Sequence, residues 1–181
     1  MTNIDTMIIF TDAATSSKNS LSVGVFLCLQ QSQIEQYATC SFEDLLVKLA
    51  NKLTYKTYKS HKSTWSEIKI AIDALDSVLK NSDELGKIEM YTDCQSFCDL
   101  LNKRKGKLEK NKFMTKSGAV LQNADLYKEL FLLSDQLTIK TFKIKGHASK
   151  AKRLSVHEKI FAMLDKLSRK KLRFILSNHI E

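Results

Sequence analysis

Hydrophobic positions recur along this chain with a period near two in some stretches and near three and a half in others, and the changes of period mark its elements. Met7-Ile8-Ile9-Phe10 is a short apolar run with β-branched residues that meets a carboxylate at Thr11-Asp12. Apolar on both faces, it predicts a strand buried in the middle of a sheet, with Asp12 at its carboxyl end. Open α/β sheets place their ligands at that end. Residues 21–29 predict a second strand. Ile34, Gln36, Ala38 and Cys40 alternate with Glu35, Tyr37 and Thr39, which predicts a third with one exposed face. The short polar link at 16–20 makes these three strands an antiparallel meander.

At Ser41 the period lengthens. Leu45, Leu46, Leu49 and Leu53 fall at helical spacing, with Glu43 and Asp44 in the first turn, where the helix dipole favours them. This predicted helix leads into a basic segment interleaved with aromatics: Tyr55, Lys56, Tyr58, Lys59, His61 and Lys62. Such a composition can contact a nucleic-acid backbone, although a solvated helix end is the simpler reading. Ile68, Ala71, Ile72, Leu75, Val78 and Leu79 form the clearest apolar stripe of the chain. Thr64-x-x-Glu67 ahead of it has the form of a capping box, although a glutamate at the edge of the stripe can also face a sheet.

Residues 88–93 predict a strand that again closes on Thr-Asp, at Thr92-Asp93. A helix with Phe97, Leu100 and Leu101 on one side follows, so Asp93 is also a candidate N-cap. If the two Thr-Asp strands are parallel neighbours, both carboxylates reach one end of the sheet. Residues 103–116 predict a loop crowded with Lys103, Arg104, Lys105, Lys107, Lys110, Lys112 and Lys116. Asn123 is the expected cap of a helix carrying Leu126, Tyr127, Leu130, Phe131 and Leu133. Residues 138–145 read as a strand ending in Gly146-His147. The final helix opens with a second capping box, Ser155-x-x-Glu158, and buries Val156, Ile160, Met163, Leu164 and Leu167. Asp165 lies among these apolar neighbours, where a carboxylate is uncommon without a partner.

Composition narrows the class. The chain of 181 residues supports one domain with a sizeable core, and the absence of proline with only 5 glycines leaves no flexible linker to divide it. The net charge of +9 asks for an acidic partner, with nucleic acid ahead of an anionic membrane surface. No apolar run approaches the ~20 residues of a membrane span, and no predicted helix pairs a basic face with a broad exposed apolar one. The N-terminus does not have the form of a signal peptide. Cys28, Cys40, Cys94 and Cys98 form no CxxC pair, which argues against a zinc knuckle and for reduced thiols in a cytoplasmic protein.

The order strand-Asp, two strands, helix-Glu, strand-Asp-helix, helix, strand-Gly-His, helix-Asp resembles the type 1 ribonuclease H family over nearly the whole chain. The pieces that carry the resemblance are Phe10-Thr11-Asp12, Ser66-Glu67, Tyr91-Thr92-Asp93-Cys94-Gln95-Ser96, Asn123-Ala124-Asp125-Leu126 and Lys145-Gly146-His147-Ala148. The resemblance implies an α/β ribonuclease H-like fold. Its five-stranded mixed sheet would have strands 1–3 antiparallel and strands 4–5 parallel to strand 1, with helices on both faces. It implies an endonuclease that hydrolyses the RNA strand of RNA–DNA hybrids and leaves a 3′-hydroxyl. Asp12, Glu67, Asp93 and Asp165 would hold two Mg²⁺ ions, with Mn²⁺ as an alternative, and Asp12 would bridge the pair. Glu67 and Asp93 would complete one site, Asp165 the site that carries the attacking water. His147 would assist proton transfer or product departure. The hybrid's backbone would meet Lys103, Arg104, Lys105, Lys107, Lys110, Lys112 and Lys116, with Lys56, Lys59 and Lys62. The expected protein is a monomeric single domain over 1–181, with a helical and basic insertion at about 43–62. It departs from the family in that insertion, in Ala13-Ala14 where Gly-Ser is usual, and in a long stretch from His147 to Asp165. A catalytically inactive nucleic-acid-binding module and a sibling nuclease acting on another nucleic acid are the competing readings.

Overall fold

Two ten-residue strands, β1 (Met7–Ser16) and β2 (Leu21–Gln30), pair as an antiparallel hairpin from Met7↔Gln30 to Ser16↔Leu21 and form the spine of the sheet. The computed structural model describes residues 6–60, 62–81, 86–146 and 155–178. After β2 come α1 (Gln31–Ile34), a 3-10 turn (Glu35–Tyr37) and α2 (Phe42–Leu49). β3 (Leu53–Lys59) then pairs antiparallel with β2, and α3 (Ser63–Asn81) crosses the sheet. β4 (Lys87–Thr92) lies parallel to β1 and leads into α4 (Gln95–Asp99), a π-helical turn (Leu100–Arg104) and α5 (Lys105–Lys110). α6 (Ala124–Gln136), β5 (Thr138–Lys143) and α7 (Val156–Asn178) follow, with β5 parallel to β4. The sheet order is β3-β2-β1-β4-β5, the mixed five-stranded arrangement that the sequence predicts.

The doubly apolar character of β1 has its cause in this order, because helices cover both faces of the central strand. Ile9 packs with Ile68, Ile72, Leu75 and Leu130 on the α3–α6 side. Ile8 and Phe10 pack with Ile160, Phe161 and Leu164 of α7, and with Leu45 and Leu49 of α2, on the other. All of these side chains are essentially buried, each contributing roughly 1.5–3 kcal/mol relative to exposure. Gly24 sets how closely α3 approaches the sheet, since a Cβ there would fall 2.7 Å from Ile70 Cγ1.

The structure corrects the expected third strand. Residues 34–40 form α1 and the 3-10 turn, and the sheet's third strand is β3, within the stretch expected as a basic insertion. Ile34, Tyr37 and Cys40 are the buried residues there, three apart, so a helical period fits this segment better than alternation. The 103–116 region is helical through Lys110 rather than a loop. Asn123 makes no side-chain cap to α6. The Ser155 cap forms as expected, its Oγ accepting from the Glu158 N–H at 3.2 Å, and Ser41 with Asp44 makes a further capping box at α2 that the sequence reading did not single out. Among the described residues no helix is long and apolar enough to cross a membrane.

Candidate active site

β1 outruns its parallel neighbour, and the site lies where it does so. β1 and β4 pair from Met7↔Ile88 to Phe10↔Tyr91. Continued by two residues, the same register sets Asp12 level with Asp93, the first residue after β4 ends at Thr92. Asp12 is therefore the middle of a long strand rather than its end, because β1 runs on to Ser16 against β2 alone. Asp93 does not cap α4, whose N-cap is Cys94. Thr92 Oγ1 accepts from the Cys94 N–H at 3.1 Å and turns the chain away from the sheet. Gly146 packs directly on Asp93, and a Cβ there would lie 2.2 Å from Asp93 Oδ2.

Glu67 comes from the opposite helical layer. α3 begins at Ser63, so Thr64 is inside the helix and the capping box is not made. Instead Glu67 turns inward and accepts a hydrogen bond from the Ala13 backbone N–H, while its Oε2 is buried without a protein partner among the described residues. Asp12, Glu67 and Asp93 each place a carboxylate oxygen within 4.8 Å of the others.

α7 closes the site with one face. Asp165 is buried, and Arg169 one turn on forms an ion pair with it, Nε also donating to the Asp165 carbonyl at 3.0 Å. Ser168, fully buried, directs its one hydroxyl hydrogen at Asp12 Oδ2, with the Asp165 carbonyl also within reach of the oxygen at 3.1 Å. The four acids share an open cavity of about 250 Å³ with Ala13, Ala14, Thr15, Arg169, Leu172 and Arg173. All four acids singled out in the sequence are thus brought together, whereas His147 lies outside the described residues. Sequence reasoning missed Ser168, Arg169 and Arg173. Their spacing from Asp165, three, four and eight residues on one helix, places them on its face and was the available signal.

Crowding of like charge governs the electrostatics. Burial pushes the Asp12 carboxyl up to about 7; the Ser168 hydroxyl opposes this, the charges of Asp93 and Asp165 add to it, and Arg169 offsets part. Glu67 is driven well above the usual carboxylate range, by burial first and then by Asp12 and Asp93, against the pull of the Ala13 N–H. A cluster in which carboxylates resist ionisation is a site short of positive charge. The donor set fits a hard divalent cation: oxygen ligands only, closely spaced, with the buried Glu67 Oε2 still unsatisfied.

The basic residues divide. Lys105 is spent within the fold, pairing with Asp135 and donating to Ser134 Oγ at 2.9 Å, and Lys103 pairs with Asp99 at 2.8 Å. Lys110 and Lys112 are exposed, and Arg104, Lys107 and Lys116 rim a groove of about 590 Å³ floored by Leu108, Met114 and Leu121. Lys56 and Lys59 are exposed on the edge strand β3, and Lys62 is half-buried just before α3.

A family model described as RNase H matches residues 5–171. The chain belongs to the RNase H family. Solved RNase H structures share its fold. The PFV RNase H domain in solution superposes with a TM-score of 0.61 at 16% identity, over 92% of this chain and 93% of that one. LC9-RNase H1, a type 1 RNase H with the type 2 active-site motif, gives 0.62 at 10% identity, over 94% and 72%. A foamy viral protease-reverse transcriptase in complex with RNA/DNA hybrid gives 0.58 at 14% identity over 92% of this chain, which spans 20% of that protein. Identities this low speak to the fold alone. A sequence comparison with curated proteins yields no significant match.

Proposed function

We propose that this RNase H-family chain is a divalent-metal-dependent endonuclease that hydrolyses the RNA strand of RNA–DNA hybrids. The observation that carries the reading is the convergence of Asp12, Glu67, Asp93 and Asp165 on one open cavity, with the buried Glu67 Oε2 left without a partner among the described residues. Four acids meet two arginines, Arg169 and Arg173, among the described residues that line this cavity, a balance that suits a further cation from solution.

Asp12, level with Asp93 and in one cavity with Asp165, would be the carboxylate common to the two Mg²⁺ ligand sets that the family resemblance implies. Glu67 and Asp93 would complete one ligand set with it, and Asp165 the other. Bound cations there would supply Lewis-acid activation of water and neutralise charge gathering on the phosphodiester oxygens. The protein's own part is to hold that geometry: Ser168 fixes Asp12, the Ala13 N–H fixes Glu67, and Gly146 makes room for Asp93. His147, by family resemblance, would assist proton transfer or product departure. Hybrid specificity would rest on the RNA 2′-hydroxyl, and affinity on backbone contacts from Arg104, Lys107, Lys110, Lys112 and Lys116, with Lys56, Lys59 and Lys62 on the β3 side. The four cysteines are free, which fits a reducing compartment such as the cytoplasm.

The test is an end-labelled panel of RNA–DNA hybrid, duplex RNA, duplex DNA and single strands, each with Mg²⁺ or EDTA. Internal cuts in hybrid RNA that leave 3′-hydroxyl ends and vanish in EDTA support the reading. Hybrid binding with no cleavage in any divalent metal would make the chain a binding module instead.

A further inference from the structure

Three buried serines, Ser22, Ser60 and Ser66, stand outside the acid cluster and meet where β2, the end of β3 and the first turn of α3 come together. Ser66 points its one hydroxyl hydrogen at Ser22 Oγ, 2.7 Å away, with the Lys62 carbonyl also within reach at 3.1 Å. Ser22 donates to the Ser60 carbonyl at 3.2 Å, and its oxygen lies 2.9 Å from Thr15 Oγ1, its partner across the β1–β2 hairpin. Ser66 immediately precedes Glu67. In the first turn of α3 it is the residue that is fully buried, since Ser63 and Thr64 are exposed and Trp65 is half-buried. One turn on, Ile70 packs on Gly24, which lies two residues past Ser22 on the same face of β2. Four helical residues rise about 6 Å and two strand residues about 6.8 Å. Ser66 on Ser22 and Ile70 on Gly24 are therefore matched footings that fix the height and rotation of α3 over β2. Glu67, about 100° further round the helix, is thereby turned toward β1, where the Ala13 N–H donates to it.

We propose that Ser66 is a positioning residue for Glu67: its hydroxyl bond to Ser22 sets how far the glutamate reaches into the acid cluster. The inference rests on the metal-dependent reading above in making Glu67 a ligand. The contact of Ile70 with Gly24 is apolar, and apolar burial has no preferred direction. The Ser66–Ser22 bond supplies direction, and it does so in the first turn, where the helix's own backbone bonds are fewest. A roll of that turn that shifts Ser66 slightly shifts the Glu67 carboxylate by more, because the carboxylate stands further from the helix axis. Alanine at position 66 keeps the packing and loses the direction. Ser22 retains Thr15 and the Ser60 carbonyl, and the Lys62 carbonyl retains the Ser66 N–H at 3.2 Å and Ser60 Oγ at 3.3 Å. No buried group is orphaned by the change, so the fold should hold.

The experiment compares the wild-type chain with Ser66→Ala, Ser22→Ala and Tyr58→Phe by two measurements. One is hydrogen exchange of the Ala13 amide in EDTA, followed by NMR relative to neighbouring β1 amides. The other is Mn²⁺ binding by calorimetry without nucleic acid. Ser66→Ala and Ser22→Ala break the same bond from its two sides. Each should speed Ala13 exchange by roughly two- to tenfold, the range for one hydrogen bond. Each should weaken Mn²⁺ binding by about tenfold, the low end of what a ligand's lost support costs. Tyr58→Phe removes a different tie between the sheet and α3, from Tyr58 Oη to Asp73 at 2.7 Å, six residues past Glu67. It should lower the thermal unfolding midpoint and leave Ala13 exchange and Mn²⁺ affinity at their wild-type values. A merely structural serine would behave as Tyr58 does. Unchanged Ala13 exchange in Ser66→Ala, equal shifts in Ser66→Ala and Tyr58→Phe, or unchanged Mn²⁺ affinity in a chain that binds the ion each overturn the proposal. A wild-type chain that takes no Mn²⁺ overturns the metal-dependent reading instead, and Ala13 exchange alone then decides whether Ser66 seats Glu67.

Discussion

Gly146 lies against Asp93 so closely that a Cβ on it would stand 2.2 Å from Asp93 Oδ2. The strand end after β5 is thus shaped around a carboxylate that belongs to the segment after β4. Gly146→Ala is expected to push the Asp93 carboxylate out of the acid cluster. Because the clash meets the far end of a side chain rather than backbone, the fold should survive at a cost of about 1–3 kcal/mol, the usual range for overpacking. Hybrid cleavage should fall at least tenfold, with a raised Mg²⁺ half-saturation, while circular dichroism stays native. Unchanged Mg²⁺ dependence in this variant would mean that Asp93 is not a ligand.

Asp12→Asn separates charge from shape. The amide oxygen can still accept from Ser168, and the like-charge crowding at the centre of the site is relieved. Cleavage should be lost at every Mg²⁺ concentration, while hybrid affinity, measured by fluorescence anisotropy, stays within a few-fold of wild type. Metal-free thermal stability at pH 8 should rise or hold level. Turnover near the wild-type value would remove Asp12 from the mechanism.

The same crowding predicts how stability follows pH without metal. The folded Asp12 carboxyl, at about 7, lies above its ordinary value of 3.8, and Glu67 is displaced in the same direction. Below pH 3.8 both folded and unfolded chains carry the proton, and these groups set no penalty. As pH rises through 7 the unfolded chain has released its protons while the folded one resists, so stability declines across that window. Urea midpoints in EDTA should fall between pH 4.5 and 8, once allowance is made for groups outside the site. Asp12→Asn should flatten the decline. A midpoint that climbs equally through this window in both proteins would contradict the assignment.

Backbone contacts are testable through salt. Lys107, Lys110 and Lys112 are exposed, unlike Lys105, which is held by Asp135 and Ser134. Replacing those three with glutamine should reduce the slope of log K against log salt by roughly 0.9 per contacted phosphate, taking duplex DNA as the guide. Turnover at saturating hybrid should barely change, since these side chains are not part of the acid cavity. A constant slope with collapsed turnover would rule out a phosphate-tracking role for this helix.

What the sequence disclosed and what it hid follow from the same physics. β1 and β2 were legible because their central stretches are almost continuously apolar, β4 because buried Ile88, Met90 and Thr92 alternate with Glu89 and Tyr91, and α3 and α7 because their stripes are long enough to fix the period. The four acids were legible because each interrupts an apolar pattern near an element's end or face. β3 was not legible. An edge strand carries lysines and polar β-branched residues, as Thr54, Lys56, Thr57 and Lys59 do, and its composition resembles a nucleic-acid contact as much as a strand. Residues 34–40 misled because Ile34 and Cys40 satisfy both a period of two and a period of three. Only the buried Tyr37 decides between them. Glu67 was ambiguous because a capping box and an inward-facing acid share one spacing, and only the helix start at Ser63 separates them.

The acids run from position 12 in β1 to position 165 in α7, and only α7 brings Ser168 and Arg169 to them. A chain that has paired its strands but not yet seated this helix holds three carboxylates in a cleft open on one side and lacking the hydroxyl that steadies Asp12. Contacts spanning so much of the sequence are among the slowest to form. For the nuclease proposed above, competence would therefore wait on the seating of α7, and a chain that had not yet docked this helix would be no hazard to the nucleic acid around it.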